Sequence, residues 1–170
     1  MEKKLINYIV SLMIIANIFG QELDQIKLAN EYYQSKEYDK AADVYKKLSK
    51  QKNNIPRIYS NYIDLMINND ETEEAYKYIN YVIKQYSGNS RYLVDQIYVA
   101  RLFPNQKEYK RLKKILYDAS LGNVNTLKRI AEELSQRQLH NDALVFLSQA
   151  RIESEILRLM LLILQKTIVR

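Results

Sequence analysis

Ala41, Ala75 and Ala143 fall on one grid with a 34-residue step, Tyr109 occupies the grid point between the last two, and Gly88 and Gly122 stand one step apart. Small residues and loop glycines that keep a common period mark a chain built from one supersecondary unit used several times over. A unit of this size cannot bury its apolar face alone, so consecutive units must stack. The spacing inside the step identifies the unit. In the first copy Leu28, Ala29 and Tyr32 make an i, i+1, i+4 stripe that predicts a helix from Glu22 to Gln34. Ser35 to Glu37 make a short turn, after which Tyr38, Ala41, Tyr45 and Leu48 predict a second helix to about Lys50. Small Ala29 and Ala41 let the two axes approach closely, and so short a turn makes them antiparallel.

Only three Gly and two Pro occur in 170 residues, whereas sheet proteins use both freely in hairpins and bulges, so short-looped helices are expected throughout. The grid divides the chain into units at about 22–54, 55–88, 89–122 and 123–153, an all-α architecture of about four helix-turn-helix repeats. Without Cys there is neither a disulfide framework nor a thiolate metal site. The 15 Tyr each need a polar outlet for a hydroxyl, which places them in grooves and half-buried seams.

These residues resemble the tetratricopeptide repeat, whose signature is W-x2-L-G-x2-Y followed by A-x3-F and a loop proline. Leu28-Ala29-x2-Tyr32 and Ala41-x3-Tyr45 carry it in the first unit, with Gln25 at the opening aromatic position and the proline late, at Pro56. The second unit has Tyr59-x2-Tyr62-Ile63-x2-Met66 and Ala75-x3-Ile79; the fourth has Leu127-x2-Ile130-Ala131-x2-Leu134, Ala143-x3-Leu147 and Ala150. In the third, Tyr109 and Lys113 stand at the small and aromatic positions, so its helices should cross more openly. The resemblance covers about residues 22–153 and implies a right-handed α-α superhelix, a solenoid whose first helices line a concave groove that binds peptides or proteins.

By that geometry the groove is lined by Asn30, Tyr33, Arg57, Asn61, Asp64, Arg91, Tyr98, Arg101 and Lys128. Its tyrosines and arginines suit an acidic or C-terminal peptide. Some relatives hold chaperone tails in a carboxylate clamp, and Asn30, Asn61 and Arg91 match three of its five positions. Ile26 replaces a clamp lysine, and Asp95 replaces a basic residue and would repel a terminal carboxylate. The implied function is a non-catalytic protein-interaction scaffold; the alternative is a structural piece of a longer array or homo-oligomer, in which stacking is the role.

The two ends stand outside the repeat. Glu2, Lys3 and Lys4 precede an apolar stretch from Leu5 to Phe19, then Gly20 and polar Gln21, which reads as a signal peptide at 1–20 and predicts an exported, periplasmic or envelope-associated protein. Any membrane contact would come from that segment if uncleaved. At the other end residues 154–170 form an apolar C-terminal helix in which Ile156 to Leu164 is interrupted only by Arg158. One of its sides is expected to pack on the fourth unit's second helix, and the other to be buried against another chain, a copy of itself or a partner, unless the chain is a shortened form of a longer array.

No catalytic constellation emerges. Isolated glycines cannot cradle phosphate, and His140, the single histidine, excludes two-histidine zinc sites and reads as a turn residue between the fourth unit's helices. Asp70, Glu71, Glu73 and Glu74 lack the spacing of a calcium loop and read as first-turn acids that favour the helix dipole. The run Lys107, Lys110, Arg111, Lys113 and Lys114 reads as a solvated outer face, with no nucleic-acid motif beside it. No cofactor and no metal are expected; the expected partner is a protein or an acidic peptide.

Overall fold

The computed structural model describes Asn7 and residues 20–168, with side chains as far as Leu161. The signal peptide expected at 1–20 therefore lies, but for Asn7 and Gly20, outside the described residues. Residues 20–34 form α1. They are followed by α2 (Tyr38–Leu48), a 3-10 turn (Lys52–Asn54), α3 (Ile55–Asn68), α4 (Thr72–Gln85), α5 (Ser90–Leu102), α6 (Lys107–Ser120), α7 (Val124–Gln136) and α8 (His140–Ile168). Among the described residues there is no strand.

The period seen in the alanines is also the period of burial. Ala29, Ile63, Ile97 and Ala131 stand at successive 34-residue steps in the first helices of the pairs, and each is at most 1% exposed. Ala41 and Ala75, in the second helices, are fully buried. The chain divides between Glu71 and Thr72 into two compact units. In the first, α2 and the 3-10 turn pack on α3. In the second, α4 packs on α5, α5 on α6 and α7 on α8, with α5 beside α7. The core of this second unit gathers Ile97, Leu116, Leu127, Ile130, Leu134, Leu139 and Phe146.

One residue in the left-handed region ends the first helix of three of the four pairs. Lys36, Asp70 and Gln138 have φ of 62°, 60° and 58°. Each ends a helix in the same double hydrogen bond: Lys36 N–H to Tyr33 O and Glu37 N–H to Tyr32 O, then Asp70 to Ile67 with Glu71 to Met66, and Gln138 to Ser135 with Leu139 to Leu134. This is the Schellman closure, which satisfies carbonyls that a helix end would leave bare. Between pairs the device is different. Gly88 and Gly122 take φ of 87° and 81°. Each is followed by an asparagine, Asn89 or Asn123, whose side chain accepts from Arg91 N–H or Thr126 N–H and caps the next helix.

Several expectations need correction. The tail is not a separate helix packed on the fourth unit's second helix; the two are one continuous α8 of 29 residues, because nothing between His140 and Ile168 breaks it. Leu28 and Leu147 are 40% and 44% exposed, so the buried stripe of α8 is Ala143, Phe146 and Ala150. His140 is the first residue of α8 rather than a turn residue. Only Glu73 and Glu74 lie in a first helical turn, since Asp70 takes the left-handed turn and Glu71 the link after it. Tyr109 and Lys113, expected to open the third pair, tie α6 to α8: the Tyr109 hydroxyl donates to Asp142, and Lys113 Nζ lies 2.9 Å from the same carboxylate.

These turns can be tested without touching the core. A Cβ added at Gly88 or Gly122 meets nothing within 4 Å, so any cost of Ala there comes from φ alone. Gly88→Ala and Gly122→Ala should each lose about 1 kcal/mol, whereas Lys36→Gly and Gln138→Gly should each gain up to about 1 kcal/mol, as measured by urea unfolding.

Candidate functional site

The first unit brings Asn30 and Asn61 together. Tyr45, fully buried on α2, donates its hydroxyl to Asn30 Oδ1 at 2.7 Å, and Asn61 Nδ2 donates to Asn30 Oδ1 at 3.1 Å and to the Tyr45 hydroxyl at 3.2 Å. The three side chains close a triangle linking α1, α2 and α3, so both asparagines are held by the fold before any ligand arrives. Tyr33 meets Tyr38 edge-on with ring centroids 5.7 Å apart, and burial together with the charge of Asp64 raises its hydroxyl above the usual pKa. Arg57, near the start of α3, is exposed. Ile26 is 7% exposed and belongs to the core, which is why no clamp lysine could stand there.

In the second unit the facing sides of α5 and α7 carry a ladder of polar pairs. Ser90 Oγ donates to Glu133 Oε1 at 2.9 Å, and Arg137 Nε donates to Asp95 Oδ1 at 2.6 Å. The Arg137 guanidinium also lies over the Tyr98 ring, 5.5 Å from its centroid. Asp95 was expected to repel a ligand carboxylate; it is instead 1% exposed and bound to Arg137, a residue the sequence reading missed. The only signal for it was the i, i+4 spacing of Glu133 near the end of α7 and Arg137 just after it. Arg91 sits at the capped start of α5, while Arg101 and Lys128 are exposed and form no ion pair among the described residues.

Successive helices on a 34-residue step, three of the four pairs carrying the same left-handed turn, agree with this repeat. The chain is built of tetratricopeptide-type helical repeats. A family model described as Anaphase promoting complex subunit 8 / Cdc23, itself of this repeat type, matches residues 15–80, which span α1 to α3 and part of α4. No curated protein matches the chain. The repeat type implies a protein-interaction or scaffold role. Among the described residues no group of three or more His, Asp or Glu side chains is placed to hold a metal ion.

Within the ladder Glu133 is incompletely bonded. Glu133 Oε2 is buried with no hydrogen-bond partner among the described residues, and burial raises the carboxyl pKa. A raised folded-state pKa favours the protonated form, so stability is full below the unfolded pKa and falls as pH rises through the folded value. Glu133→Gln, which keeps an acceptor for Ser90, should therefore raise stability by about 1 kcal/mol at pH 7 and leave it nearly unchanged at pH 4, measured by urea unfolding at both pH values.

Proposed function

We propose that this chain is a non-catalytic scaffold of the cell envelope that holds an acidic segment of a partner protein against the facing sides of α5 and α7. The observation that carries the reading is the charge balance of the α5–α7 face. Asp95 and Glu133 are bonded inside the ladder, to Arg137 and Ser90, while Arg101 and Lys128 face solvent, Lys128 one turn from the exposed Glu132. The face therefore offers the cations Arg101 and Lys128 to a ligand, groups that pair with carboxylates. Envelope location rests on the basic start and apolar stretch of residues 1–20.

One observation favours the assembly reading. Beyond Ala150 no described side chain of α8 is buried: Ile152, Ile156, Leu157, Leu159, Met160 and Leu161 are each 51–60% exposed. At about 1.5 Å per residue α8 outruns the 13-residue α7 by more than 20 Å, so Leu157 and Leu161 continue the stripe of Phe146 and Ala150 with nothing of α7 left to cover them. No helix among the described residues is long and apolar enough to cross a membrane. Leaving such surface in water costs about 25 cal/mol per Å², which pairing with a second copy would recover.

One experiment with two arms separates the readings. Chain immobilised at low density is exposed to envelope extract, as wild type, as Arg101→Glu with Lys128→Glu, and as Leu157→Lys with Leu161→Lys; light scattering then gives the mass of each form alone. Groove binding predicts a retained partner, reduced about tenfold by the charge reversals and kept by the lysine variant, whose mass equals that of wild type. Capture unaffected by the charge reversals contradicts it, and a wild-type dimer that the lysine variant dissolves, without any retained partner, selects assembly.

A further inference from the structure

The third helix pair lacks the left-handed turn of the other three. At the grid point of Lys36, Asp70 and Gln138 it carries Pro104, whose ring holds φ near −65° and forbids the left-handed conformation. The chain leaves α5 extended at Phe103, with φ −71° and ψ 147°. Side chains tie down the wider loop that results. Gln106 Nε2 donates to the carbonyls of Arg101 and Phe103 at 3.0 and 2.7 Å, and the Lys107 N–H donates to Asn105 Oδ1 at 3.0 Å.

Between this loop and the first turns of α4 and α6 lies an open cleft of about 790 Å³. Its apolar wall is Tyr76, Phe103 and Pro104, the two rings meeting edge-on with centroids 5.5 Å apart. The wall is braced: the Tyr76 hydroxyl donates to Glu108 Oε1 at 2.9 Å, and Arg111 donates to both oxygens of the same carboxylate at 2.6 and 2.7 Å. Arg111 holds Glu108 down at about 2, while burial and Glu108 push the Tyr76 hydroxyl up to about 12, so neither group changes charge near neutral pH. A second cleft, of about 310 Å³, lies between α6 and α8 against Tyr117, Val145 and Phe146.

The ridge between the two clefts is the outward stripe of α6, where Lys107, Lys110, Arg111 and Lys114 recur at i, i+3, i+4 and i+7. Arg111 is bound to Glu108, and Lys114 lies 2.8 Å from Asp118. Lys107 and Lys110 are exposed and form no ion pair among the described residues. The sequence reading of a merely solvated face did not include the clefts, because Pro104 shows its effect only when set against the turns of the other pairs.

We propose that this ridge docks an acidic protein segment, which sets one apolar side chain into each cleft and lays its carboxylates on Lys107 and Lys110. It is a second surface, separate in its residues from the α5–α7 face. Charge complementarity supplies the acidic character, and the two braced concavities supply the anchors. A bilayer presents its anions in a plane and cannot fill two concavities on either side of a ridge. Single-stranded nucleic acid needs aromatic faces for its bases, whereas Phe146 is 1% exposed and Tyr76 and Tyr117 are committed to edge contacts with Phe103 and Phe146.

The test is to pan a phage-displayed random peptide library on the chain, then measure the enriched peptides by fluorescence anisotropy. The expected peptides combine Asp or Glu with two separated apolar residues. Their binding should weaken with salt, fall about tenfold for Lys107→Glu with Lys110→Glu and for Phe103→Ala, and survive Arg101→Glu with Lys128→Glu. Circular dichroism confirms that each variant keeps its helices, and the lysine reversals, lying on the surface, keep the test valid should Phe103→Ala unfold. Failure to enrich any peptide, enrichment of basic or uncharged peptides, or binding indifferent to the lysine reversals would overturn the proposal. So would phosphatidylglycerol vesicles or a single-stranded oligonucleotide binding this surface in preference to every enriched peptide.

Discussion

The structure depends on a backbone constraint imposed at single residues. For a first helix to be followed by an antiparallel second one within a few residues, the chain must reverse immediately after the last helical turn, and the left-handed region of φ,ψ space does this while satisfying the last carbonyls. Lys36, Asp70 and Gln138 accept that conformation although none is glycine, at a cost of about 1–2 kcal/mol each that helix packing has to offset. Packing does so through small or apolar residues on the same period, Ala29, Ile63, Ile97 and Ala131 in the first helices and Ala41 and Ala75 in the second. Turn and spine thus enforce one another. Move either by a residue and the buried stripe rotates by about 100°.

Pro104 shows what happens when the constraint is refused. The third pair loses the Schellman closure; the Gln106 amide donates instead to the carbonyls of Arg101 and Phe103, while the Asn105 side chain accepts from the Lys107 N–H at the start of α6. Around the same pair, polar side chains take over work done elsewhere by alanines. Tyr76, Glu108 and Arg111 brace α4 to α6, and Tyr109 and Lys113 both reach Asp142 to tie α6 to α8. The departure from the repeat pattern is therefore where the surface gains its concavities.

Much of this was legible in the sequence because it is local. Helix periodicity, the alanine grid and the loop glycines all report on backbone within a few residues of themselves, and the helices follow them closely. Less local features were not legible. That Arg137 neutralises Asp95 requires two first helices to lie side by side across 42 residues of chain. Leu147 fits the repeat signature and is yet 44% exposed, while its neighbour Phe146 is buried. The continuity of α8 was written in the absence of Gly and Pro after Gly122, but a change of composition at residue 154 reads more readily as a boundary than an uninterrupted helix does. Asn30 and Asn61 were singled out for a ligand; their shared bond to Tyr45 could not be seen without the second helix in place.

The most direct measurement is the sign of φ at the turn residues in solution. In isotopically labelled protein, the amide-to-α-proton coupling and the intraresidue amide-to-α-proton nuclear Overhauser effect report it residue by residue. The account predicts the strong intraresidue effect of a positive φ at Lys36, Asp70 and Gln138, alongside Gly88 and Gly122, and negative φ at Phe103 and Asn105 on either side of Pro104. Negative φ at Lys36, Asp70 and Gln138 would contradict it, since the helix pairs could then not be closed by the turn from which the register, the spine and the cleft at Pro104 all follow.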